Sequence, residues 1–416
     1  MAQSHKQLER RAREPRAGCR SGRPDAHSYA PGSMVTKRYL MTPGPTPVPP
    51  EVLAALGEPV IHHRSPDFKA VFAETRASLK QVYRTENEVL VFAASGTGAF
   101  ESAVVNLLST GEKVLAVSHG NFGERWQKLA AAFGCDVHKL TYPWGETPRA
   151  GDVADALEES GARVALLVHS ETSTGVVADL EPLLAACNAA GALSVVDAIS
   201  SLGAVPLETD AWGADVVVTG SQKALMTPPG LGFASVSDRA WAKVAQATLP
   251  RFYWDWARAR VQQENDTTLF TPPTSTIVAL NVALRRIIAE GLDHVFARHV
   301  ALGRSCRAGA IAMGLELYSP DEDSAAVLTA LLTPHGIDAV ALRLALRDRF
   351  GITIAGGHGD IADRLFRIGH IGYVDVFDIT TALAAVELQL VEMGATVERG
   401  AAVAAALEAY ESTLAA

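Results

Sequence analysis

The sequence predicts an α/β fold in which a large domain with a mostly parallel sheet precedes a smaller C-terminal α+β domain. Two observations support this prediction. Short apolar runs rich in valine and leucine alternate with helical segments from about residue 89 to residue 245, a pattern typical of parallel strands buried on both faces. After residue 270 the pattern changes to long amphipathic helices and then to mixed helices and strands.

The elements follow in order along the chain. The predicted strands of the first sheet are 89–92, 114–117, 164–168, 193–197 and 215–218. The helices predicted between most of them are 100–108, 124–133, 153–160 and 180–190. Two long helices are predicted over 276–290 and 292–313, followed by an α+β region from 314 to about 398 and a final alanine-rich helix.

The chain of 416 residues has room for about two to three domains. Residues 1–34 contain six arginines and very few large apolar side chains, so we expect a disordered extension there. We expect a large α/β domain with an N-terminal arm over 35–290 and a small α+β domain over 291–416. No period typical of solenoids or propellers is visible in the sequence.

Composition excludes several classes of protein. The net charge is -9 and only the start of the chain is basic, so a nucleic-acid partner is not expected. The four cysteines are far apart and form no metal-ligand spacing, which predicts neither disulfides nor a metal site and favours a reducing cytoplasm. No apolar run approaches the roughly 20 residues that cross a bilayer, so no membrane partner is expected.

Polar residues directly after the predicted strands are the candidates for chemistry, because parallel sheets bind ligands at the carboxyl ends of their strands. The strand at 215–218 runs into a polar turn that ends in Lys223, a candidate for a lowered pKa and Schiff-base chemistry. The strand at 193–197 ends in Asp197. Each residue has an ordinary alternative interpretation: Lys223 as a solvated loop lysine, and Asp197 as a helix cap or turn residue.

The turn Ser95, Gly96 and Thr97 follows the strand at 89–92 and opens a helix. Its small residues let backbone amides approach an anion such as a phosphate, although a tight turn alone also favours glycine. A dinucleotide fingerprint is not present, because position 101 holds glutamate where the third glycine would stand. Pyridoxal 5'-phosphate explains the phosphate turn, Asp197 and Lys223 together, because its ring nitrogen needs an acidic partner and its aldehyde reacts with lysine.

From about residue 38 to residue 395 the chain resembles the class V pyridoxal-phosphate aminotransferases, in particular the alanine-glyoxylate, serine-pyruvate and serine-glyoxylate group. The motifs that carry the resemblance occur in order at 42–46, 95–97, 171–175, 196–203, 220–225 and 366–369. The resemblance implies the fold type I of pyridoxal-phosphate enzymes, with pyridoxal 5'-phosphate as the cofactor. It also implies a homodimer with active sites shared between the subunits.

The resemblance also implies a role for each matching residue. Lys223 would bind the cofactor and then move a proton, and Asp197 would pair with the ring nitrogen. The other implied cofactor-binding residues are Ser95, Gly96, Thr97, Phe122, Thr172, Gln222 and, toward the partner subunit, Thr271. Arg367 and Gly44 would bind the substrate. Thr268 stands where relatives often have tyrosine, so only Thr271 is assigned to the phosphate.

The function that this resemblance implies is amino-group transfer from alanine or serine to glyoxylate or pyruvate by a ping-pong mechanism. Other donors stay open, namely ureidoglycine, aspartate and pyridoxamine. A lyase such as a cysteine desulfurase is disfavoured because Cys306, in a helical stretch, is the only cysteine between Gln222 and Arg367. A non-catalytic binding protein is disfavoured because Lys223, Asp197 and Arg367 are all present.

Overall fold

The computed structural model describes residues 37–320 and 326–415, and the chain from Arg38 onward forms one compact unit. The predicted disordered extension lies outside the described residues. The helices are α1 (Pro50–Leu56), α2 (Pro66–Tyr83), α3 (Gly96–Leu107), α4 (Asn121–Ala132), α5 (Ala150–Ser160), α6 (Leu180–Ala189), α7 (Asp238–Val244), α8 (Trp256–Gln263), α9 (Thr274–Glu290), α10 (Leu292–Ala312), α11 (Ala339–Phe350), α12 (Val376–Glu392) and α13 (Ala401–Ala415).

The strands form two larger sheets and one short hairpin. They are β1 (Tyr39–Met41), β2 (Glu88–Ala94), β3 (Lys113–Ser118), β4 (Asp136–Thr141), β5 (Val164–Val168), β6 (Ser170–Glu171), β7 (Val176–Val177), β8 (Leu193–Asp197), β9 (Val216–Gly220), β10 (Gly230–Val236), β11 (Glu316–Leu317), β12 (Leu328–Leu332), β13 (Ile352–Gly356) and β14 (Leu365–Gly369).

The first sheet has the order β2-β10-β9-β8-β5-β3-β4 and is parallel except at β10, which runs antiparallel to both of its neighbours. The α/β prediction is therefore confirmed, and all five predicted strands are present. Strands β5, β8 and β9 are buried along their whole length, because helices cover both faces of the sheet. Strands β4 and β10 of this sheet were not among the predicted strands.

The register of the central strands creates the site. Val168 at the end of β5 lies opposite Asp197 at the end of β8, and Asp197 lies opposite Val218 of β9. The turns that follow these strands therefore emerge along one edge of the sheet. The residues predicted to carry chemistry follow the same strands, so the topology places them side by side.

The second sheet has the order β1-β13-β14-β12-β11. Its edge strand β1 comes from the N-terminal arm and pairs in parallel with β13, with Met41 opposite Ile354. Met41 also packs in one apolar cluster with Leu302 and Cys306 of α10. The arm is thus joined by hydrogen bonds to the C-terminal sheet, while the proposed division of the chain at residue 290 stays a prediction.

Within the described ranges, no helix is both long enough and apolar enough to cross a membrane. The same ranges contain no group of three or more histidine, cysteine, aspartate or glutamate side chains placed to hold a metal ion.

Candidate active site

Lys223 lies in the turn after β9, and the N-terminal arm holds this turn from the other side. The hydroxyl of Thr46 donates to the carbonyl of Lys223 at 2.8 Å, and the amide of Thr46 donates to the carbonyl of Gln222 at 3.1 Å. Gly44 lies directly against the lysine side chain, so a Cβ atom at this position would overlap the lysine Cδ, Cε and Nζ atoms. The structure therefore brings the predicted residues Gly44 and Lys223 together.

Asp197 is the last residue of β8 and is only 5% exposed. Its Oδ1 atom accepts one hydrogen bond, from the amide of Ile199 at 2.8 Å. The pKa of this carboxyl is raised to about 7, chiefly by burial and also by the Glu171 carboxylate, while the Ile199 amide and Lys223 oppose the shift. A buried acid with this pKa can share a proton with a basic ring nitrogen.

The pKa of Lys223 is shifted in the opposite direction, toward lower values. The pKa of its ammonium is lowered to about 8, chiefly by burial and also by the positive charge of Arg367, while Asp197 opposes the shift. The lysine therefore supplies an uncharged amine near neutral pH far more readily than an exposed lysine does. The pKa values of Lys223 and Asp197 converge from opposite directions, which is the pattern expected where proton transfer takes place.

The turn at 95–97 forms the N-terminus of α3. Ser95 caps this helix, because its Oγ atom accepts from the amide of Gly98 at 3.3 Å. A Cβ atom at Gly220 would lie 2.8 Å from Oε1 of Gln222 and 3.3 Å from the amide nitrogen of Gly96. The Gln222 side chain and the first amide of α3 therefore lie close to each other, next to Gly220. The backbone amides at the start of α3 are donors and form a cradle suited to an anion. Gln222 can contribute to this cradle only through its Nε2 donor, because its buried Oε1 atom is an acceptor, which has no hydrogen-bond partner among the described residues.

Arg367 reaches the same site from β14 of the second sheet and is 6% exposed. Its Nε donates to the carbonyl of Gly356 at 2.8 Å, Nη1 donates to the carbonyl of Thr172, and Nη2 donates to Nε2 of His358 at 3.1 Å. Burial lowers the pKa of the guanidinium to about 10, so Arg367 stays charged at neutral pH. A buried cation of this shape is suited to a carboxylate.

Phe122 stands at the start of α4, where Glu171 holds the backbone. The Glu171 Oε2 atom accepts from the amides of Phe122 at 2.9 Å and Gly123 at 3.0 Å. The Phe122 ring meets the His358 ring edge-on, with the centroids 6.0 Å apart. Arg125 places its guanidinium carbon 4.7 Å from the centroid of the Phe122 ring. The aromatic residue is thus fixed at the site, as a stacking residue requires.

Three further residues of the site, Arg125, Glu171 and His358, have no role predicted from the sequence. Nη1 of Arg125 donates to the Thr97 hydroxyl at 3.2 Å, which joins the phosphate turn to α4. Arg125 lies three residues after Phe122, and this helical spacing placed it on the same face. His358 was visible in the sequence only as part of a glycine-rich loop.

Thr271 lies apart from this group in the single chain. It is exposed in the segment before α9 and lines a small surface pocket with Tyr253 and Phe270. Thr268 is buried instead, and its hydroxyl donates to the carbonyl of Phe270 at 2.7 Å. The Thr268 hydroxyl is therefore used in a hydrogen bond within its own segment.

A mostly parallel sheet, a half-buried lysine with a lowered pKa beside a buried acid, and an anion cradle at a helix N-terminus together define the class of pyridoxal-phosphate enzymes. The amide donors at the N-terminus of α3 and the raised pKa of the Asp197 carboxyl fit the phosphate and the ring nitrogen of that cofactor.

Comparison with known proteins assigns the family. The aminotransferase class-V family matches residues 38–363, and the chain belongs to this family of pyridoxal-phosphate-dependent aminotransferases. The chain is 44% identical to the soluble hydrogenase small subunit of Synechococcus sp. over 90% of its length and 98% of that protein. It is 37% identical to the L-aspartate–glyoxylate aminotransferase of Paracoccus denitrificans (92% and 98% covered) and 35% identical to the serine–glyoxylate aminotransferase of Methylorubrum extorquens (89% and 95%).

A solved structure agrees with this assignment. The chain superimposes on the ureidoglycine-glyoxylate aminotransferase of Bacillus subtilis with a TM-score of 0.86 and 30% identity, covering 91% of this chain and 100% of that one.

Proposed function

We propose that this protein transfers an amino group from a small amino acid, alanine or serine, to a small 2-oxo acid, glyoxylate or pyruvate, by a ping-pong mechanism. The observation that carries the proposal is the position of Arg367, whose charge acts on Lys223 while its guanidinium is held by two carbonyls and one imidazole. One buried carboxylate clamp beside the reactive lysine suits a substrate with one carboxylate. The names of the serine and aspartate relatives support glyoxylate as the acceptor.

In this proposal Lys223 transfers a proton during the reaction and Asp197 holds one in place. Pyridoxal 5'-phosphate supplies the electron sink that makes the α-hydrogen of the amino acid acidic. Lys223 accepts that proton from the substrate α-carbon with its uncharged amine and would then donate it to C4' of the cofactor. Asp197 keeps a proton on the ring nitrogen, because a buried carboxyl with a pKa of about 7 shares the proton instead of releasing it to water.

The remaining predicted residues would hold the cofactor. The amide of Gly96, the Thr97 hydroxyl and the Gln222 amide would bind the phosphate, and Ser95 would contribute by capping the helix that presents them. Phe122 would cover the ring face. Thr172, which is buried with its carbonyl bound to Arg367, would hydrogen-bond the ring hydroxyl through its own hydroxyl.

An acidic donor such as aspartate is the second candidate, and Arg125 is the observation that favours it. Its guanidinium lies over Phe122 and acts electrostatically on Asp197, Lys223 and His358. A second cation facing the site could bind the side-chain carboxylate of aspartate. The name of the Paracoccus relative agrees with such a donor.

A homodimer is part of the proposal. Phe252 is 72% exposed and Tyr253 is 41% exposed, although Tyr253 is stacked on Phe270 at 5.1 Å between centroids. An exposed aromatic cluster of this kind is typical of an interface. A second copy of the chain seated there would receive Thr271 at its phosphate cradle. We also propose a cytoplasmic location, which the unpaired thiols of Cys135, Cys187 and Cys306 support.

An absorbance experiment tests the proposed activity. The protein loaded with pyridoxal 5'-phosphate is titrated with L-alanine, L-serine or L-aspartate, and glyoxylate is then added. We expect the visible band to decrease with the preferred donor and to recover with glyoxylate, and we expect Lys223→Ala to abolish both changes. A yellow protein whose spectrum none of these donors alters would contradict the proposed substrates.

A further inference from the structure

The loop that carries His358 is firmly held although it is rich in glycine. It joins β13 to β14, and the amide of Gly357 donates to the carbonyl of Leu365 at 2.8 Å. A Cβ atom at Gly357 would lie 2.6 Å from the carbonyl oxygen of Ile361, so the loop folds back tightly on itself. His358 is half-buried at the centre of this loop and points to the active site.

The contact between His358 and Arg367 fixes the protonation state of the imidazole. A guanidinium has only donors, so Nε2 of His358, 3.1 Å from Nη2 of Arg367, must accept the hydrogen bond. The histidine is therefore uncharged and carries its proton on Nδ1. The pKa of His358 is lowered to about 4, chiefly by burial and also by the charges of Arg367 and Arg125, which agrees with this state.

The other contacts of Arg367 leave part of its guanidinium available. Of its five N–H groups, one binds the carbonyl of Gly356, one the carbonyl of Thr172 and one the imidazole of His358. Within the part of the chain that the structure describes, one N–H group remains without a partner on each terminal nitrogen, which is the number that a carboxylate needs for two hydrogen bonds. His358 provides the only one of the three described supports that comes from a side chain.

His358 also touches the aromatic residue of the site. Its ring stands at 84° to the Phe122 ring, with the edge toward the face and the centroids 6.0 Å apart. The same imidazole therefore contacts Phe122, proposed to cover the cofactor ring, and Arg367, proposed to bind the substrate carboxylate.

We propose that His358 is a positioning residue that, as an uncharged hydrogen-bond acceptor, orients Arg367 toward the α-carboxylate of every substrate. This inference rests on the proposed role of Arg367 in substrate binding. Because donor and acceptor both carry this carboxylate, loss of the imidazole weakens the binding of both. The proton transfers at Lys223 do not involve His358, so turnover at saturation changes little.

The test compares three variants. His358→Leu removes the acceptor, His358→Asn carries an acceptor on a shorter side chain, and His358→Gln reaches further and can restore the bond. KM and kcat are measured for L-serine and glyoxylate, or for whichever donor the wild type prefers. The inhibition constant of acetate, which presents a carboxylate and nothing else, is measured on the same holoenzymes. Cofactor affinity and Tm provide the check on folding.

We expect His358→Leu and His358→Asn to raise KM for both substrates and the acetate inhibition constant by about tenfold, the order of one lost charge-assisted hydrogen bond. We expect kcat to change by less than about twofold and His358→Gln to recover most of the loss. If His358→Leu does not fold, the Asn and Gln variants decide the result.

Two outcomes overturn the inference. The first is unchanged or lower KM values in His358→Leu and His358→Asn, since lower values would mean that the imidazole obstructs the clamp. The second is an equal loss of kcat in all three variants. Arg367→Ala separates this failure from failure of the proposed function: if Arg367→Ala leaves both KM and acetate inhibition unchanged, the clamp assignment itself is wrong.

Discussion

At the scale of single residues, the central feature is that the pKa values of two ionisable groups in the site are shifted in opposite directions. Asp197 stays protonated up to a higher pH than an exposed aspartate does, and Lys223 becomes neutral at a lower pH than an exposed lysine does. The sequence indicated Lys223 as a candidate for a lowered pKa from its place after a strand, and it gave no sign of the raised pKa of Asp197. The size of both shifts depends on burial by residues distant along the chain, which no local pattern shows.

The lysine shift predicts the pH dependence of cofactor loading. Only the uncharged amine of Lys223 reacts with an aldehyde, so the rate at which apoprotein takes up pyridoxal 5'-phosphate should rise with pH and level off above about 8. Arg367 lowers the lysine pKa, so the midpoint should move to higher pH in Arg367→Ala. Stopped-flow absorbance measures both profiles. A midpoint that stays in place in the variant would mean that Arg367 does not act on the lysine.

The acid shift predicts the effect of Asp197→Asn. The amide cannot hold a proton on the ring nitrogen, so we expect the transamination rate to fall by about 10² to 10⁴ while the fold is retained. Asp215→Asn is a matched control, because Asp215 is also buried but accepts from the Ser194 amide and the Ser237 hydroxyl, away from the site. We expect the control to lower Tm and to leave kcat unchanged. The reverse pattern would remove Asp197 from the mechanism.

At the scale of elements, sequence patterns predicted those strands and helices that depend on local periodicity. The strands at 164–168 and 193–197 were predicted with the bounds that the structure shows. Strand β10 was missed because it contains glycine and serine and is defined by antiparallel pairing with β2 and β9. The pairing of β1 with β13 joins segments more than 300 residues apart in the sequence, and no local pattern carries that information.

The packing of the N-terminal arm predicts the effect of a single methyl group. Gly44→Ala would place its Cβ atom on the Lys223 side chain, so we expect the lysine to shift and cofactor affinity to fall by about tenfold or more. Gly151→Ala in α5 is the control, because a Cβ atom there meets nothing within 4 Å. The control should stabilise the protein by about 0.4 to 1 kcal/mol. Equal cofactor affinity in both variants would contradict the close approach of the arm. Equilibrium fluorescence titration measures the affinity.

At the scale of the whole molecule, the aromatic cluster formed by Phe252, Tyr253 and Phe270 predicts self-association. We expect Phe252→Asp to shift the protein from dimer to monomer in sedimentation velocity and to weaken cofactor binding, because Thr271 would no longer reach the neighbouring cradle. Phe377→Asp is the control, since Phe377 is 69% exposed on α12 while Phe252 is 72% exposed. Identical sedimentation of the two variants would place the interface elsewhere.

The central claim is that this chain moves an amino group between two small acids through Lys223. The most direct test incubates the cofactor-loaded protein with glyoxylate and with serine, alanine or aspartate whose amino nitrogen is isotope-labelled, and measures labelled glycine by mass spectrometry. We predict labelled glycine from at least one donor, with none formed by Lys223→Ala. If glyoxylate is recovered unchanged and no labelled glycine forms with any of the three donors, the claim is contradicted.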